Sequence, residues 1–431
     1  MGDKKEREKN LLNAKPSFFH TPITRRRVVQ TAGVASLLAA GGLLAFQGYR
    51  SAFAAHAADS SIPATLAPGG ELDQYVKQLA EQDQFSGTFL VAQGDKPVLL
   101  QAYGMANKER HIPNGPQTLY ATASMAKSFT ATAITQLAQQ QKLTFTDPIG
   151  KYLQGFPADI ADSVTIHQLL THTSGMGDFH LVPDYKAKFL IWQSAAETLN
   201  GLLEIIKQQP LQFTPGTAFS YSNSGYVTLG TIVAQVSGMD YYDYIHQHIF
   251  AAAGMSKSRF YTKPQRERMQ DIAHPYNSER VDISEQQGFI GEPAGDAYTT
   301  VEDMLRYSQA LQTHQLLNPS FTDLLMTGKV AVPPPPAPNG PAPTAASGQQ
   351  PQGTPPPLPQ RSVMQAYGLL DTLVINGNKR IVWHSGGSEG ASTVFEMFLT
   401  QGYNLVILSN YGAQDSFMNL VMKAEGLILQ G

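Results

Sequence analysis

Ser124-Met125-Ala126-Lys127-Ser128-Phe129-Thr130-Ala131-Thr132-Ala133-Ile134-Thr135-Gln136-Leu137 is the stretch on which the reading of this chain turns. Met125, Phe129, Ala133 and Leu137 recur every four residues, which predicts a helix over residues 124–143. Ser124 opens that helix, and Lys127 lies one turn on, on the same face. A serine hydroxyl is a poor nucleophile until a base takes its proton. An ammonium at its reference pKa of ~10.4 is no base at pH 7, but burial or a neighbouring cation lowers it. A Ser-x-x-Lys pattern arises about once by chance in a chain this long, and an N-cap serine beside a solvated lysine is the plain alternative.

Around this helix the sequence divides into strand-rich ends and a helical middle. Residues 71–84 read as a helix with Leu72, Tyr75, Val76 and Leu79 on one face. Ser86 to Ala92 and Pro97 to Tyr103 read as strands joined by a turn at Gly94-Asp95. Residues 120–330 read as mostly helical. Tyr367 to Ile375, Arg380 to His384, Ala391 to Leu399 and Asn404 to Asn410 read as strands, with turns at Asn376-Gly377 and Gly402. Met418 to Leu429 fits a closing helix. The expected fold is α+β: one antiparallel sheet built from both ends, covered by terminal helices, with a mostly helical domain inserted. The expected division is 58–119 plus 362–431 for the sheet domain, 120–330 for the helical domain and 331–361 for an insertion. Residues 331–360 hold 12 prolines and no charge, a composition that suits an exposed polyproline-like segment.

Composition removes whole classes of function. Hydrophobic residues make up 42% of the 431, enough for a substantial core, and the net charge is −3. No basic excess exists to bind nucleic acid. There is no cysteine, so disulfides, thiolate nucleophiles and Cys-ligated metals are excluded. The N-terminus reads as an address. Arg25-Arg26-Arg27 precedes an uncharged run from Ala32 to Phe46, followed by Ala52-Phe53-Ala54 and Ala55-His56-Ala57. A basic region, a short apolar region and an A-x-A site make a secretory signal over residues 1–57. The arginine pair resembles a Tat signal. The expectation is an exported protein, extracellular, periplasmic or in the cell envelope, touching a membrane only if the segment is retained.

Two further segments carry chemistry. Tyr221-Ser222-Asn223 places a phenol and an amide two residues apart, on one side of a non-helical turn, although Ser-Asn-Ser-Gly is also ordinary turn material. His384-Ser385-Gly386-Gly387 ends a strand, where small residues let a substrate lie along the edge. A backbone N–H near Gly387 could pair with that of Ser124 as an oxyanion hole.

In this order Ser-x-x-Lys, Tyr-x-Asn and His-x-Gly resemble the three active-site motifs of the penicillin-recognising serine hydrolases. That family includes class C β-lactamases, D-Ala-D-Ala carboxypeptidases and related esterases and D-aminopeptidases. Leu169-Leu170-Thr171-His172-Thr173-Ser174-Gly175 and Thr299-Thr300-Val301-Glu302-Asp303-Met304 resemble its structural signatures. The resemblance implies that Ser124 is the acylated nucleophile, Lys127 its activating partner and Tyr221 a proton shuttle. It implies that Asn223 orients lysine and substrate, and that His384, Gly386 and Gly387 form the third, substrate-binding motif. It implies no metal or cofactor, a small-molecule or peptide substrate, and an amide or ester bond as target. Oligomerisation is not called for, and a monomer is expected. A penicillin-binding or sensor domain without catalysis is the alternative.

His384 stands where class C β-lactamases carry lysine, and an imidazole titrating near ~6.5 is a weak anchor for a carboxylate at pH 7. Two rival readings are weaker. Gly386-Gly387-Ser388-Glu389-Gly390 matches G-x-S-x-G, but no histidine follows Ser388 to complete that fold's chain order. His172, Asp178 and His180 could suggest a metal site, without any H-E-x-x-H spacing.

Overall fold

The computed structural model describes residues 62–333, 360–374 and 378–430. Residues 1–57, read above as a signal, residues 334–359 of the proline-rich stretch and the Asn376-Gly377 pair read as a turn lie outside the described residues. An eight-stranded antiparallel sheet runs through the molecule. Its strands are β1 (Gly87–Gln93), β2 (Lys96–Tyr103), β3 (Val330–Ala331), β4 (Arg361–Gln365), β5 (Leu370–Val374), β6 (Lys379–Ser388), β7 (Ala391–Phe398) and β8 (Tyr403–Ser409), in the spatial order β2-β1-β8-β7-β6-β5-β4-β3. The N-terminal hairpin thus pairs with the last strand, and sheet and helices give the expected α+β architecture.

Alternation along the central strands feeds two cores. Phe89, Val91, Leu405 and Ile407 face one side, against Leu72 and Val76 of α1 (Glu71–Glu81) and Leu420 and Ile428 of the C-terminal helix. Leu90, Phe395, Val406 and Leu408 face the other, against Phe129, Ile134 and Tyr307 of the helical region. A strand covered on both faces is mostly apolar, and β7 and β8 are buried throughout, Ser392, Thr393, Glu396 and Asn404 included. The second core passes from strand to helix without a break. The helices that matter for the site are α2 (Ala126–Gln139), α3 (Ala195–Lys207), α4 (Asn223–Ser237), α5 (Val301–Gln312) and α6 (Pro319–Met326), with α7 (Asp415–Gln430) closing the chain. No helix among the described residues is long and apolar enough to cross a membrane.

The helix expected over 124–143 spans Ala126–Gln139 and the closing helix Asp415–Gln430, and three further boundaries differ from the sequence reading. The helix read to Gln84 stops at Glu81, because Asp83 adopts φ +53° and turns the chain into β1. The single strand read over Tyr367 to Ile375 begins only at Leu370. Gly368 turns there with φ +63°, and a Cβ on it would lie 2.5 Å from the Ala131 side chain. The turn leads back to β4, a strand the sequence reading had not recognised at the start of the 362–431 segment. The strand read as ending at His384 continues to Ser388, so His384-Ser385-Gly386-Gly387 lies within β6 rather than beyond it. Its glycines pair in register with Thr393 and Ser392 of β7.

Phe395 is fully buried on β7, with its ring edge-on to Tyr307 at 5.8 Å. Phe395→Ala should lower stability by about 3–5 kcal/mol. A fall in the urea midpoint with unchanged slope checks this.

Candidate active site

Ser124 sits in a short 3₁₀ turn, Ala123–Met125, that leads into α2. Ala123 has φ +43°, a conformation that costs an alanine energy and is held by its surroundings. The Thr122 N–H donates to Ala297 O at 2.7 Å, and the Asp296 N–H donates to Ala123 O at 3.3 Å. Helix α2 is buried on all sides from Ala126 to Ala138. That is why its sequence is rich in Ala and Thr: larger side chains would not fit between the sheet and α4. Its threonines return their hydroxyls to the backbone or to tyrosines, as Thr132 does to Ser128 O and the Tyr307 hydroxyl.

Lys127 is therefore carried into the core and is 0% exposed. Its Nζ donates to Ser124 Oγ at 3.0 Å, to Asn223 Oδ1 at 2.7 Å and to Ala294 O at 2.7 Å. These match the three donors of an ammonium. The Tyr221 hydroxyl donates to Ser124 Oγ at 2.8 Å, and its ring centre lies 4.9 Å from Lys127 Nζ. Tyr221 and Asn223 do not share a loose turn, as the sequence reading had it. Ser222 is the N-cap of α4, accepting from the Gly225 N–H at 3.2 Å, and Asn223 is the first helical residue. The cap holds Tyr221 outside the helix and Asn223 in its first turn, both aimed at Lys127.

The amide of Asn223 is oriented from behind. Its Nδ2 and backbone N–H both donate to Asp178 Oδ2, at 2.7 and 3.1 Å. Burial alone would raise the Asp178 carboxyl, but hydrogen bonds from the His180 side chain and backbone and from the Asn223 N–H outweigh it and hold it at about 2. His180 Nδ1 lies 2.9 Å from Asp178 Oδ1. Behind Tyr221, the His172 ring stacks at 4.5 Å and accepts the Ser222 N–H on Nδ1 at 3.1 Å. Burial, then the Lys127 charge, keep His172 well below the usual histidine range.

His384 faces the same centre from β6. It is 6% exposed, and its Nδ1–H donates to Ser385 O at 2.6 Å. Burial and the Lys127 ammonium push it down to about 3. It is neutral throughout the physiological range, so it supplies no charge for a substrate carboxylate. Gly386 lies against the nucleophile's turn: a Cβ there would be 2.4 Å from Thr122 O and 2.8 Å from Ser124 N. The Thr393 hydroxyl ties β7 to the same Thr122 O at 2.8 Å. Gly387 borders the cavity instead, with open space beside it.

Ser124, Lys127, Tyr221, Asn223, His384 and Gly386 thus converge, with Gly387 at the cavity edge. The cavity, about 590 Å³, is lined by Tyr221, Asn223, Gly387, Glu292 and Tyr185 among others. The two rivals do not assemble. Ser388 ends β6 and is followed by β7, with no helix behind it. Asp178 and His180 meet on Asn223 while His172 turns to Ser222. Among the described residues no three such side chains could hold a metal ion. Sequence reasoning missed Asp178 as a partner of Asn223, and it missed Glu292 and the Ala294 carbonyl. Asp178 follows the Thr173-Ser174-Gly175 signature by three residues, a signal that was available. A backbone carbonyl leaves none.

The family model described as Beta-lactamase matches residues 72–421. The chain belongs to that family. This bears out the resemblance drawn from the three motifs, and the fold class with it. The chain is 30% identical over 263 residues to a putative penicillin-binding protein of Bacillus subtilis (strain 168), covering 60% of this chain and 61% of that protein. It is 23% identical over 261 residues to a teichoic acid D-alanine hydrolase of Staphylococcus aureus, covering 59% and 60%. The matches thus span about 60% of the length of these two relatives. A penicillin-binding protein from Bacillus halodurans has a structure similar to this one, with TM-score 0.67 and 27% identity over 82% of this chain and 99% of that one.

Asp178 gives this Beta-lactamase family member a pH signature. Its folded pKa of about 2 lies below the ordinary ~3.9, so its stabilisation is present above pH ~4 and is lost as pH falls through 2. Wild type should lose about 2–3 kcal/mol more than Asp178→Asn between pH 5 and pH 2. Urea unfolding of both proteins across that range measures the difference.

Proposed function

We propose that the protein is an exported serine hydrolase that cleaves an ester or amide through an acyl-enzyme on Ser124. One observation carries this reading: Lys127 Nζ and Tyr221 Oη both lie within hydrogen-bond reach of Ser124 Oγ, at 3.0 and 2.8 Å. In the acylation step Tyr221, having first given its phenolic proton to solvent, takes the Ser124 hydroxyl proton as Oγ bonds to the substrate carbonyl carbon, while Lys127 stays an ammonium. The Lys127 charge stabilises the negative charge that develops on Oγ, in a site where burial strengthens it. The carbonyl oxygen becomes an oxyanion facing the Ser124 and Gly387 N–H groups. The bond to the leaving group then breaks, and that group takes the proton from Tyr221, which is 43% exposed and reaches the cavity. Water repeats the sequence on the ester carbonyl, returning the proton to Ser124 Oγ and releasing the acid. Every step uses residues of this chain.

The neutral His384 argues against substrates anchored by a carboxylate, as β-lactams and C-terminal peptides are. Export rests on Arg25-Arg26-Arg27, the apolar run and the A-x-A sites. With cleavage after Ala57 the mature chain is 431 − 57 = 374 residues.

Ser124→Ala should remain folded and lose both hydrolysis and labelling by a fluorophosphonate. Intact mass before and after labelling reads the outcome. Turnover by the purified variant, or an unlabelled wild type, would contradict the assignment.

A further inference from the structure

Residues Gly291 to Asp296 form a tight hairpin on the cavity wall. Glu292 and Gly295 exchange backbone hydrogen bonds of 2.9 and 2.8 Å, and a Cβ on Gly291 would lie 2.3 Å from Asp296 O. Asp296 adopts φ +62°. The hairpin presents two carboxyl groups to the cavity that Tyr221, Asn223 and Gly387 also line. Neither forms an ion pair within 4 Å among the described residues. The Asp296 carboxyl has no side-chain hydrogen-bond partner, and burial raises it against the pull of the Arg266, His180 and Lys127 charges and of the Ala123 backbone N–H. Glu292, 8% exposed, accepts the Ala294 N–H on Oε2 at 2.6 Å, and Oε1 has no hydrogen-bond partner.

The nearby cations are committed elsewhere. Lys127 serves Ser124, Asn223 and Ala294. Arg266 donates to the carbonyls of Tyr261, Gly288 and Phe289. Lys186 lies 3.5 Å from Glu389, and His180 is paired with Asp178. The cavity is therefore acidic where Glu292 and Asp296 stand. Its field is felt by Tyr185, whose hydroxyl is pushed up to about 12 by burial and then by Glu292, Asp296, Asp178 and Glu389. Burial pushes Glu292 itself up to about 7, against the pull of the Lys127 charge and the Ala294 N–H. A buried carboxyl pair that makes no direct ion pair is a costly arrangement that an incoming cation relieves.

Position fixes which cation. Ala294 is gripped at both ends, its N–H by Glu292 and its carbonyl by Lys127 Nζ at 2.7 Å. The carboxyl pair is thus one residue removed from the group that touches Ser124 Oγ. A cation held there belongs to the acyl part of the substrate, close to the scissile carbonyl. We propose that Glu292 and Asp296 form a subsite for the free ammonium of an aminoacyl ester or amide. The inference rests on the hydrolase reading above and adds the substrate's charge to it.

The test pairs alanine methyl ester, in both enantiomers, with N-acetylalanine methyl ester, which lacks the charge. Wild type should prefer the free amine by about tenfold or more in kcat/KM. Asp296→Asn should reduce that preference about tenfold by losing rate on the free amine alone, and Glu292→Gln, which also bears on Ala294, should lower the free-amine rate about tenfold more than the acetylated one. Asn tolerates the left-handed backbone at 296, so Asp296→Asn keeps the hairpin. Fluorophosphonate labelling of Ser124 is read in parallel. A labelled wild type without a preference for the free amine, including one that cleaves neither ester, overturns the subsite alone. Equal loss on both esters in the variants overturns it too, since damage to Lys127 through Ala294 would act on both. An unlabelled, inactive wild type overturns the hydrolase reading and the subsite together.

Discussion

A lysine ammonium with no exposed surface sets the terms for this molecule. Removing such a charge from water costs several kcal/mol unless hydrogen bonds replace the lost hydration. Lys127 has three, and the acceptors come from three separate places: the turn that precedes its own helix, the first residue of α4 and the Glu292–Asp296 hairpin. The ammonium is satisfied only when all three are assembled. Much of the surrounding structure holds one of these acceptors in place. Asp178 fixes the Asn223 amide, Glu292 fixes Ala294, and the Thr122–Ala297 bond fixes the turn that carries Ser124.

The sheet supplies the rigid side of the site. β6 lies so close to the Ser124 turn that position 386 has no room for a Cβ, and Thr393 on β7 clamps the same turn. The neighbouring strands are buried on both faces, so the edge along which substrate would lie cannot shift without disturbing both cores. Chemistry at a helix start and recognition along a strand edge are thereby fixed against each other, which is what acyl transfer requires of its nucleophile and oxyanion donors.

How much of this was legible depended on range. The amphipathic face of α1 and the strand segments of β1, β7 and β8 beside their turns are local patterns, and they read correctly. The turn at Gly368 did not, because the reason for it is the approach of Ala131 from a distant helix. In the site, Ser124, Lys127, Tyr221 and Asn223 were legible as residue types with the right spacing, and the structure brings them together. Their supports were not. Asp178 was visible only as a candidate metal ligand, and the Ala294 carbonyl has no side-chain signature. His384 read as a third-motif residue with an ordinary histidine's titration; only its burial beside Lys127 reveals that it stays neutral.

Lys127→Met keeps the length and apolar stem of the side chain while removing the charge that the account places at its centre. Peptide mapping after fluorophosphonate treatment of wild type and this variant is the most direct measurement, with circular dichroism confirming the fold. The account predicts label on Ser124 in wild type and a rate of labelling at least a hundredfold lower, on the order of 10², in the folded variant. Label at wild-type rate in Lys127→Met, or label on a residue other than Ser124, would contradict it.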